Sequence, residues 1–186
     1  ADGTEEIEAV TLADVLTRGG VKVTLASVGL KTQNIVTMSR GVKVQADLSI
    51  ETCVDLSFDL IVTDVSCGLL QGMPGAQHLH DSEELVALLQ KQKHQGKLYG
   101  AICAAPAVVL HPHGLLDVGP ATSYPSFEAK MAGVDYKKDE DVVVNGKCVT
   151  SQGPGTAMAM GLKLVELLCG REKAETVAQG LLTTIP

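Results

Sequence analysis

Cys103 is the residue whose place in the sequence most directly suggests chemistry. The apolar run 97–102 leads straight into it, and the small, helix-compatible residues 104–109 follow at once. A strand that passes directly into a helix puts the junction residue at the carboxyl edge of an α/β sheet, where unpaired N–H groups and the helix dipole stabilise an anion. Cys103 is therefore a candidate nucleophile. The alternative is a small buried hydrophobic residue, which is how most unmodified cysteines behave.

The rest of the chain alternates short β-rich runs with helical runs, a pattern typical of an α/β sheet. Thr4 and Ser82 are the expected N-caps of two helices, which end at Gly19-Gly20 and at Gly96. An Asn-Gly pair at 145–146 predicts a hairpin turn. The predicted helices are 4–18, 82–95, 104–114, 155–170 and 172–182; the predicted strands are 21–28, 41–46, 58–65, 97–102 and the two arms of the hairpin 141–152.

Length and composition predict a single domain over residues 1–186. The net charge of −7 argues against nucleic acid or an anionic membrane as the main partner, because both need basic patches. Five widely spaced cysteines without a C-x-x-C pair indicate a reduced intracellular protein, with the cytoplasm as the expected location. The sequence opens with a loop and a helix, so a first strand is expected to precede residue 1.

Four segments in this order and spacing, "ADGTEEIEAV", "GMPGAQHL", "AICAAP" and "TSQGPGTAMAMGLKLVE", resemble the DJ-1/PfpI superfamily. The resemblance is strongest to its Parkinsonism-associated deglycase and ThiJ-like branch. It implies a flavodoxin-like three-layer sandwich with a mostly parallel sheet, similar to class I glutamine amidotransferases, and a homodimer. It also implies that Cys103 sits at a sharp strand-to-helix elbow and that a protonated Glu8 contacts its sulfur. Glu5 and Glu6 are expected to be solvated helix acids.

The resemblance assigns further positions around the cysteine. Arg18 and Arg40 match arginines near an anion-accepting spot at the dimer contact, and Asp14 matches an acid near the site. For these three the alternative is ordinary surface charge. The loop that packs beside the pocket and opens the long helix matches Gly153, Pro154 and Gly155, which can equally be a cap and a turn.

Two departures from the family pattern concern the pocket itself. Tyr124 stands where relatives of the human protein have a histidine, and a tyrosine, with an ordinary pKa near 10, is a poor base at neutral pH. The glycine-rich turn after the strand "DLIV" is replaced by "TDVSCGLLQGMPGA", with Gln71 at the place of a glycine. Gly72 and Ala104 remain the candidate N–H donors of an oxyanion pocket.

The function that follows from the resemblance is a cofactor-free glyoxalase or deglycase. Its substrates would be methylglyoxal-type dicarbonyls, other small aldehydes or early glycation adducts on proteins. The alternative is an oxidative-stress sensor or chaperone that uses the same cysteine. A peptidase is disfavoured because Ala104, not a histidine, follows Cys103. No metal site is predicted, because the histidines at 78 and 80 and at 111 and 113 would each point to different sides of a helix.

Overall fold

The computed structural model of the chain describes residues 1–30, 34–65 and 74–185. Within these ranges the helices are α1 (Glu6–Arg18), α2 (Pro74–Asp81), α3 (Glu83–His94), α4 (Ala157–Cys169) and α5 (Arg171–Gly180). The strands are β1 (Ala26–Ser27), β2 (Ile35–Thr37), β3 (Lys43–Gln45), β4 (Leu48–Ser49), β5 (Leu60–Val65), β6 (Leu98–Cys103), β7 (Pro120–Ala121), β8 (Asp135–Tyr136), β9 (Val142–Asn145) and β10 (Cys148–Ser151).

A four-stranded sheet in the order β5-β6-β10-β9 forms the centre of the fold. β6 pairs in parallel with β5 on one side and with β10 on the other, so it is covered along both edges. All six of its residues are buried, which explains why its sequence is almost continuously apolar. β9 and β10 form the antiparallel hairpin predicted by the Asn-Gly pair, and Gly146 at the turn has a φ of 60°.

Helices cover both faces of this sheet and give the predicted three layers. On one face, α1, α4 and α5 bury a core that includes Leu16, Leu164 and Val177. On the other face, α2, α3 and the π-helical turn Pro106–Leu110 bury a second core around Leu89 and Tyr99. The predicted α/β class with a mostly parallel sheet is therefore what the chain forms.

The predicted strand 21–28 is the largest difference from the expected elements, because only β1 forms a ladder within it. β1 pairs in parallel with β4, and Leu25 exchanges hydrogen bonds with Asp47 just before it. Val21 and Val23 still pack against the core of the α1 face. The apolar alternation correctly predicted that these side chains pack in the core. It could not predict which residues of 21–28 form a ladder, because pairing depends on a partner strand elsewhere in the chain.

The start of α3 agrees with the sequence, because a side chain caps this helix. The Ser82 hydroxyl accepts a hydrogen bond from the Leu85 N–H at 3.2 Å and starts α3 as predicted. Thr4 is not the N-cap of α1; that position belongs to Glu5, whose side chain makes no capping bond. The Thr4 carbonyl instead accepts a hydrogen bond from Ser39, which ties the entry of the helix to the β2–β3 hairpin.

Candidate active site

Cys103 lies at the end of β6, where the chain leaves the sheet for the π-helical turn, so the predicted junction is present. Its φ is 63°, in the left-handed region that few residues other than glycine adopt, and such a conformation costs about 1–3 kcal/mol. The bend breaks the strand alternation, because Ile102 and Cys103 both belong to the core of the α1 face. The backbone thus turns the sulfur towards α1 and not towards the layer of α3.

Glu8 meets this core from the buried face of α1, one turn before Leu12. The residue has no exposed surface, so it is not a solvated helix acid. Burial raises the pKa of the Glu8 carboxyl and the charge of Glu5 adds to the rise, whereas hydrogen bonds with Asp64 and Cys103 oppose it. A carboxyl group with a raised pKa next to a thiol can exchange protons with it near neutral pH.

Asp64 is a third polar group of this cluster that sequence reasoning missed. It lies in β5, paired with Ile102, one residue before the pair of Val65 and Cys103. Burial raises the pKa of Asp64 well above its ordinary value, and the hydrogen bond and the charge of Glu8 raise it further. The available signal was a carboxyl group within a strand whose neighbouring residues are mostly apolar.

The contact between the carboxyl groups of Glu8 and Asp64 constrains their protonation. All four carboxyl oxygens are buried, and no backbone N–H or hydroxyl group of the residues that the structure describes donates a hydrogen bond to them. Two carboxylates can bond to each other only when one of them keeps its proton. The contact between them therefore requires at least one shared proton.

Tyr124 and Gly153 complete the group of predicted residues that the fold brings together. The Tyr124 N–H donates to the Cys103 carbonyl at 2.7 Å. A Cβ placed on Gly153 would lie 3.3 Å from Tyr124 Cδ2 and 3.7 Å from Glu8 Oε1. Pro154 follows in the 3₁₀ turn Pro154–Thr156, which opens α4 as predicted. Glycine at 153 thus lets the ring and the carboxyl group approach each other.

Of the two predicted oxyanion donors, Ala104 lies within the described residues and Gly72 does not. Ala104 follows the cysteine, is fully buried, and its carbonyl accepts hydrogen bonds from the N–H groups of Ala107 and Val108. Gly72, like Gln71, lies outside the described residues. The role of both donors stays a prediction.

Arg18, Asp14 and Arg40 lie on the exterior. Arg18 forms an ion pair with Asp14 one turn earlier on α1, at 2.7 Å, and both side chains are about half exposed. The Arg40 N–H donates to Glu6 at the β2–β3 hairpin. An anion spot across a dimer contact would need a second chain, so these assignments stay predictions.

Glu5 corrects a second expectation, since it is not a solvated helix acid. Glu5 is only 5% exposed, and its carboxylate accepts a hydrogen bond from the Ser39 hydroxyl at 2.8 Å. Glu6, which is partly exposed, lies 2.7 Å from the same hydroxyl and accepts a hydrogen bond from the Arg40 N–H at 2.9 Å. The sequence could not show this, because the hairpin that supplies Ser39 is more than thirty residues away in the chain.

Ligand groups for a metal ion do not gather in sets of three or more anywhere in residues 1–30, 34–65 and 74–185. Of the predicted histidine pairs, His80 contacts Asp81 at 2.9 Å, and its ring centroid lies 4.8 Å from that of His113 with the two rings tilted by 53°. In the same ranges, none of the helices has the length and apolar character needed to cross a membrane.

The comparisons with known proteins agree with this architecture. A family model described as the DJ-1/PfpI family matches residues 1–167. The solved structure of Toxoplasma gondii DJ-1 in an oxidized form superimposes with a TM-score of 0.89 at 43% identity, covering 99% of this chain and 95% of that one. The predicted resemblance and the flavodoxin-like fold class are thereby confirmed.

Two relatives bear on function. Protein DJ-1 homolog B of Arabidopsis thaliana is 41% identical over 182 residues, which are 98% of this chain. The chain spans 40% of the length of that relative. A Caenorhabditis elegans protein named glutathione-independent glyoxalase DJR-1.2 is 35% identical over 178 residues, with 95% of this chain and 89% of that protein covered.

Proposed function

Because the chain belongs to the DJ-1/PfpI family, we propose that it is a cofactor-free glyoxalase that converts methylglyoxal-type dicarbonyls into hydroxy acids. The observation that carries the proposal is the left-handed backbone of Cys103 at the end of β6, with the buried Glu8 carboxyl interacting with its thiol. Strain of this kind persists where the surroundings enforce it, and it gathers at functional sites. The name of the C. elegans relative supports the substrate class.

The proposed reaction begins with the transfer of the Cys103 proton to Glu8. The thiolate adds to the aldehyde carbon, and the resulting oxyanion takes a proton to give a hemithioacetal. Glu8 then moves a proton from that carbon to the neighbouring carbonyl carbon through an enediol. The product is a thioester of the hydroxy acid, and water releases it as lactate when the substrate is methylglyoxal. The sequence is an isomerisation followed by hydrolysis, so it needs no oxidant or reductant.

The other predicted residues have supporting roles in this scheme. The Ala104 N–H, and that of Gly72 in the family pattern, would hold the oxyanion. Tyr124 would orient the bound carbonyl compound with its hydroxyl and would not act as a base. Cys103 has no exposed surface, so the side chains around the sulfur must shift when a substrate binds. Early glycation adducts on proteins present a similar carbon centre, and a deglycase reaction would use the same groups.

Turnover of methylglyoxal by purified variants tests the proposal. Cys103→Ala should lower kcat/KM by roughly 10³-fold or more, because no other group replaces the nucleophile. Glu8→Gln keeps the volume and removes the base, and should lower it by about 10²–10⁴-fold. Cys169→Ala is the matched control, since this cysteine is exposed and remote from the cluster. Undiminished turnover in Cys103→Ala would contradict the proposal.

A redox sensor is the second candidate, favoured by one of the relatives: the Toxoplasma gondii structure is of an oxidized form. An oxidised Cys103 would carry acidic oxygens that a protonated carboxyl group can bind. Mild peroxide followed by mass spectrometry of the 98–130 region tests it. Addition of two oxygens at Cys103 by a protein without dicarbonyl turnover would favour the sensor or a chaperone regulated by it. The cytoplasm stays the predicted location.

A homodimer is the proposed assembly. Large apolar side chains are exposed on neighbouring elements: Ile7 and Val10 on α1, and Ile35 and Val42 on the β2–β3 hairpin. The hairpin is fixed to α1 through Ser39, so the elements that carry these side chains are neighbours. Arg18, Asp14 and Arg40 lie on the same two elements. Sedimentation of Val10→Asp against the native chain tests the assembly, with the monomer expected for the variant.

A further inference from the structure

Two histidines from different parts of the chain lie side by side on the sheet face covered by α2 and α3. His80 belongs to the last turn of α2, and His113 follows the π-helical turn Pro106–Leu110. Their ring centroids are 4.8 Å apart, and the rings are tilted by 53°. Because this pair joins two segments, it does not depend on the i, i+2 spacing that disfavours a pair of metal ligands within one helix.

Hydrogen bonds to the two rings fix their neutral tautomers. His80 Nδ1 lies 2.9 Å from Asp81 Oδ1, and His113 Nδ1 lies 2.8 Å from the Val109 carbonyl oxygen. An ionised carboxylate and a carbonyl can only accept, so each Nδ1 carries the proton and donates it. In the neutral form, each ring therefore has its lone pair on Nε2, the nitrogen that can bind a metal ion.

A further shell of hydrogen bonds already supports the His80 ring. Gln77 Nε2, one turn earlier on α2, donates to both carboxylate oxygens of Asp81 at 2.8 Å. Hydrogen bonds from Gln77 and His80 lower the pKa of the Asp81 carboxyl, so it stays an acceptor. Metal-binding histidines almost always donate their other ring N–H to a carboxylate or a main-chain carbonyl, which fixes the ring and raises its basicity. His80 has the first kind of partner and His113 the second.

The separation of the two rings fits one shared ion. A nitrogen–metal bond of about 2.1 Å puts an imidazole centroid roughly 3.2 Å from the metal. Two such rings that subtend an angle of about 90–110° at the metal have centroids about 4.5–5.2 Å apart. The observed distance of 4.8 Å lies within this range. The His80 side chain is 40% exposed, so an ion can reach it from solvent.

We propose that His80 and His113 together bind one divalent transition-metal ion with a preference for imidazole, such as Zn²⁺, through their Nε2 atoms. The ion joins α2 to the segment that follows the Cys103 turn. With two protein ligands the site is open, and water fills the remaining coordination positions. None of the residues of the proposed reaction takes part, so the inference does not rest on that function.

Calorimetric titration of the full chain with Zn²⁺ tests the site, after accessible thiols have been blocked with N-ethylmaleimide. His80→Ala and His113→Ala should each lower the affinity by at least about tenfold. The double variant should bind no more weakly than either single variant, because one ion needs both ligands. Asp81→Ala removes the acceptor of His80 Nδ1 and should lower the affinity by about tenfold while both rings remain.

His94→Ala is the matched control. His94 Nδ1 also contacts a main-chain carbonyl, that of Gln90, at 2.8 Å, so this histidine has the same kind of support as His113. Its removal should leave the Zn²⁺ affinity unchanged. His80 and His113 are both partly exposed, so their alanine variants should fold, and urea unfolding without Zn²⁺ checks that they do.

Long-range proton–nitrogen NMR spectra of the imidazole rings supply a readout besides affinity. Before Zn²⁺ is added, both rings should show a protonated Nδ1 and an unprotonated Nε2. Zn²⁺ should then shift the Nε2 signals of His80 and His113 with the same concentration dependence. Because the two rings meet only in the folded chain, Zn²⁺ should also raise the urea midpoint of the native chain and not that of His113→Ala.

The inference is overturned if the native chain binds Zn²⁺ no more tightly than the double variant, or if only one of the two histidines affects the affinity. A double variant that binds more weakly than both single variants would indicate two separate sites and would also overturn it. So would Nε2 signals that shift at different Zn²⁺ concentrations.

Discussion

Cys103 and Cys148 are buried to nearly the same extent in adjacent strands of one sheet, 0% and 4% exposed, yet they lie at opposite ends of the parallel strands. Cys148 opens β10 opposite Tyr99, at the amino end of the parallel strands, whereas Cys103 ends β6 at the carboxyl end. Burial raises the pKa of the Cys148 thiol to about 12; the charge of Asp117 adds to the rise, and the Tyr99 hydroxyl and Lys93 oppose it.

The comparison shows that the direction of the strands, and not burial, distinguishes the two sulfurs. At the amino end the chain arrives at the sheet from helices and turns, and Cys148 is enclosed by the core of the α3 face. At the carboxyl end the chain bends sharply, and Glu8 from α1 and Asp64 from β5 converge on the bend. A parallel sheet gathers the ends of several strands at one edge, which is why sites form there.

The largest expected difference is in the rate of alkylation. At pH 7.5 Cys148 should react with iodoacetamide at least about 10³-fold more slowly than Cys103, because a thiol with a pKa of about 12 is almost entirely protonated. Peptide mass spectrometry after timed labelling of the native protein measures both rates. Labelling in urea supplies the control, since both cysteines should then react alike. Comparable rates in the folded protein would remove the distinction between the two ends of the sheet.

A second difference is expected in stability as a function of pH. The pKa values of Glu8 and Asp64 are raised by folding, so the native state binds protons that the unfolded chain releases, and stability falls as pH rises from about 4 towards the folded pKa values. Asp64→Asn removes one of these groups and should therefore be more stable than the native chain by roughly 1–3 kcal/mol at pH 7.5. Little difference should remain near pH 4.

Urea unfolding of both proteins at the two pH values measures this effect. Cys148 supplies the contrast, because its raised pKa affects stability only in the alkaline window between the unfolded value near 8.5 and about 12. Cys148→Ala should therefore leave the slope between pH 4 and 7.5 unchanged. An Asp64→Asn variant that loses stability equally at both pH values would indicate that the carboxyl group is needed for packing.

The smallest expected effect concerns Gly153, which lies next to the carboxyl-end cluster. An alanine there would place its methyl group 3.3 Å from the Tyr124 ring, so the ring must move by a few tenths of an ångström. Its φ of 165° is extended, and the backbone is therefore not strained by the change. Turnover should fall a few-fold with less than about 1 kcal/mol lost in stability. Gly155→Ala is the control, because nothing lies within 4 Å of its added methyl group.

Sequence patterns predicted those parts of the fold that local chemistry determines. The Ser82 cap, the Asn145-Gly146 turn and the apolar run of β6 each lie where the sequence placed them. Parts that depend on distant partners were missed: the ladder in 21–28 is restricted to β1, and Glu5 is buried because Ser39 of the hairpin reaches it.

The same division applies to the site. Cys103 could be singled out from a strand running into a helix, but Glu8 was chosen among three glutamates only through the family resemblance. Asp64 was overlooked because local patterns cannot show which strand residue faces a helix carboxyl group. The place of Asp64 in the site depends on the register of β5 against β6 and on the burial of Glu8. Both are set by the tertiary structure.

The left-handed backbone at Cys103 has a consequence for engineering. Glycine would relieve the steric conflict at this position, whereas alanine would keep it, so a variant library sorted for thermal resistance alone should become enriched in glycine at residue 103. Such a library would lose the Cys103 thiol while its thermal resistance increases. Each round of selection for thermostability should therefore also measure the amount of titratable thiol in the protein.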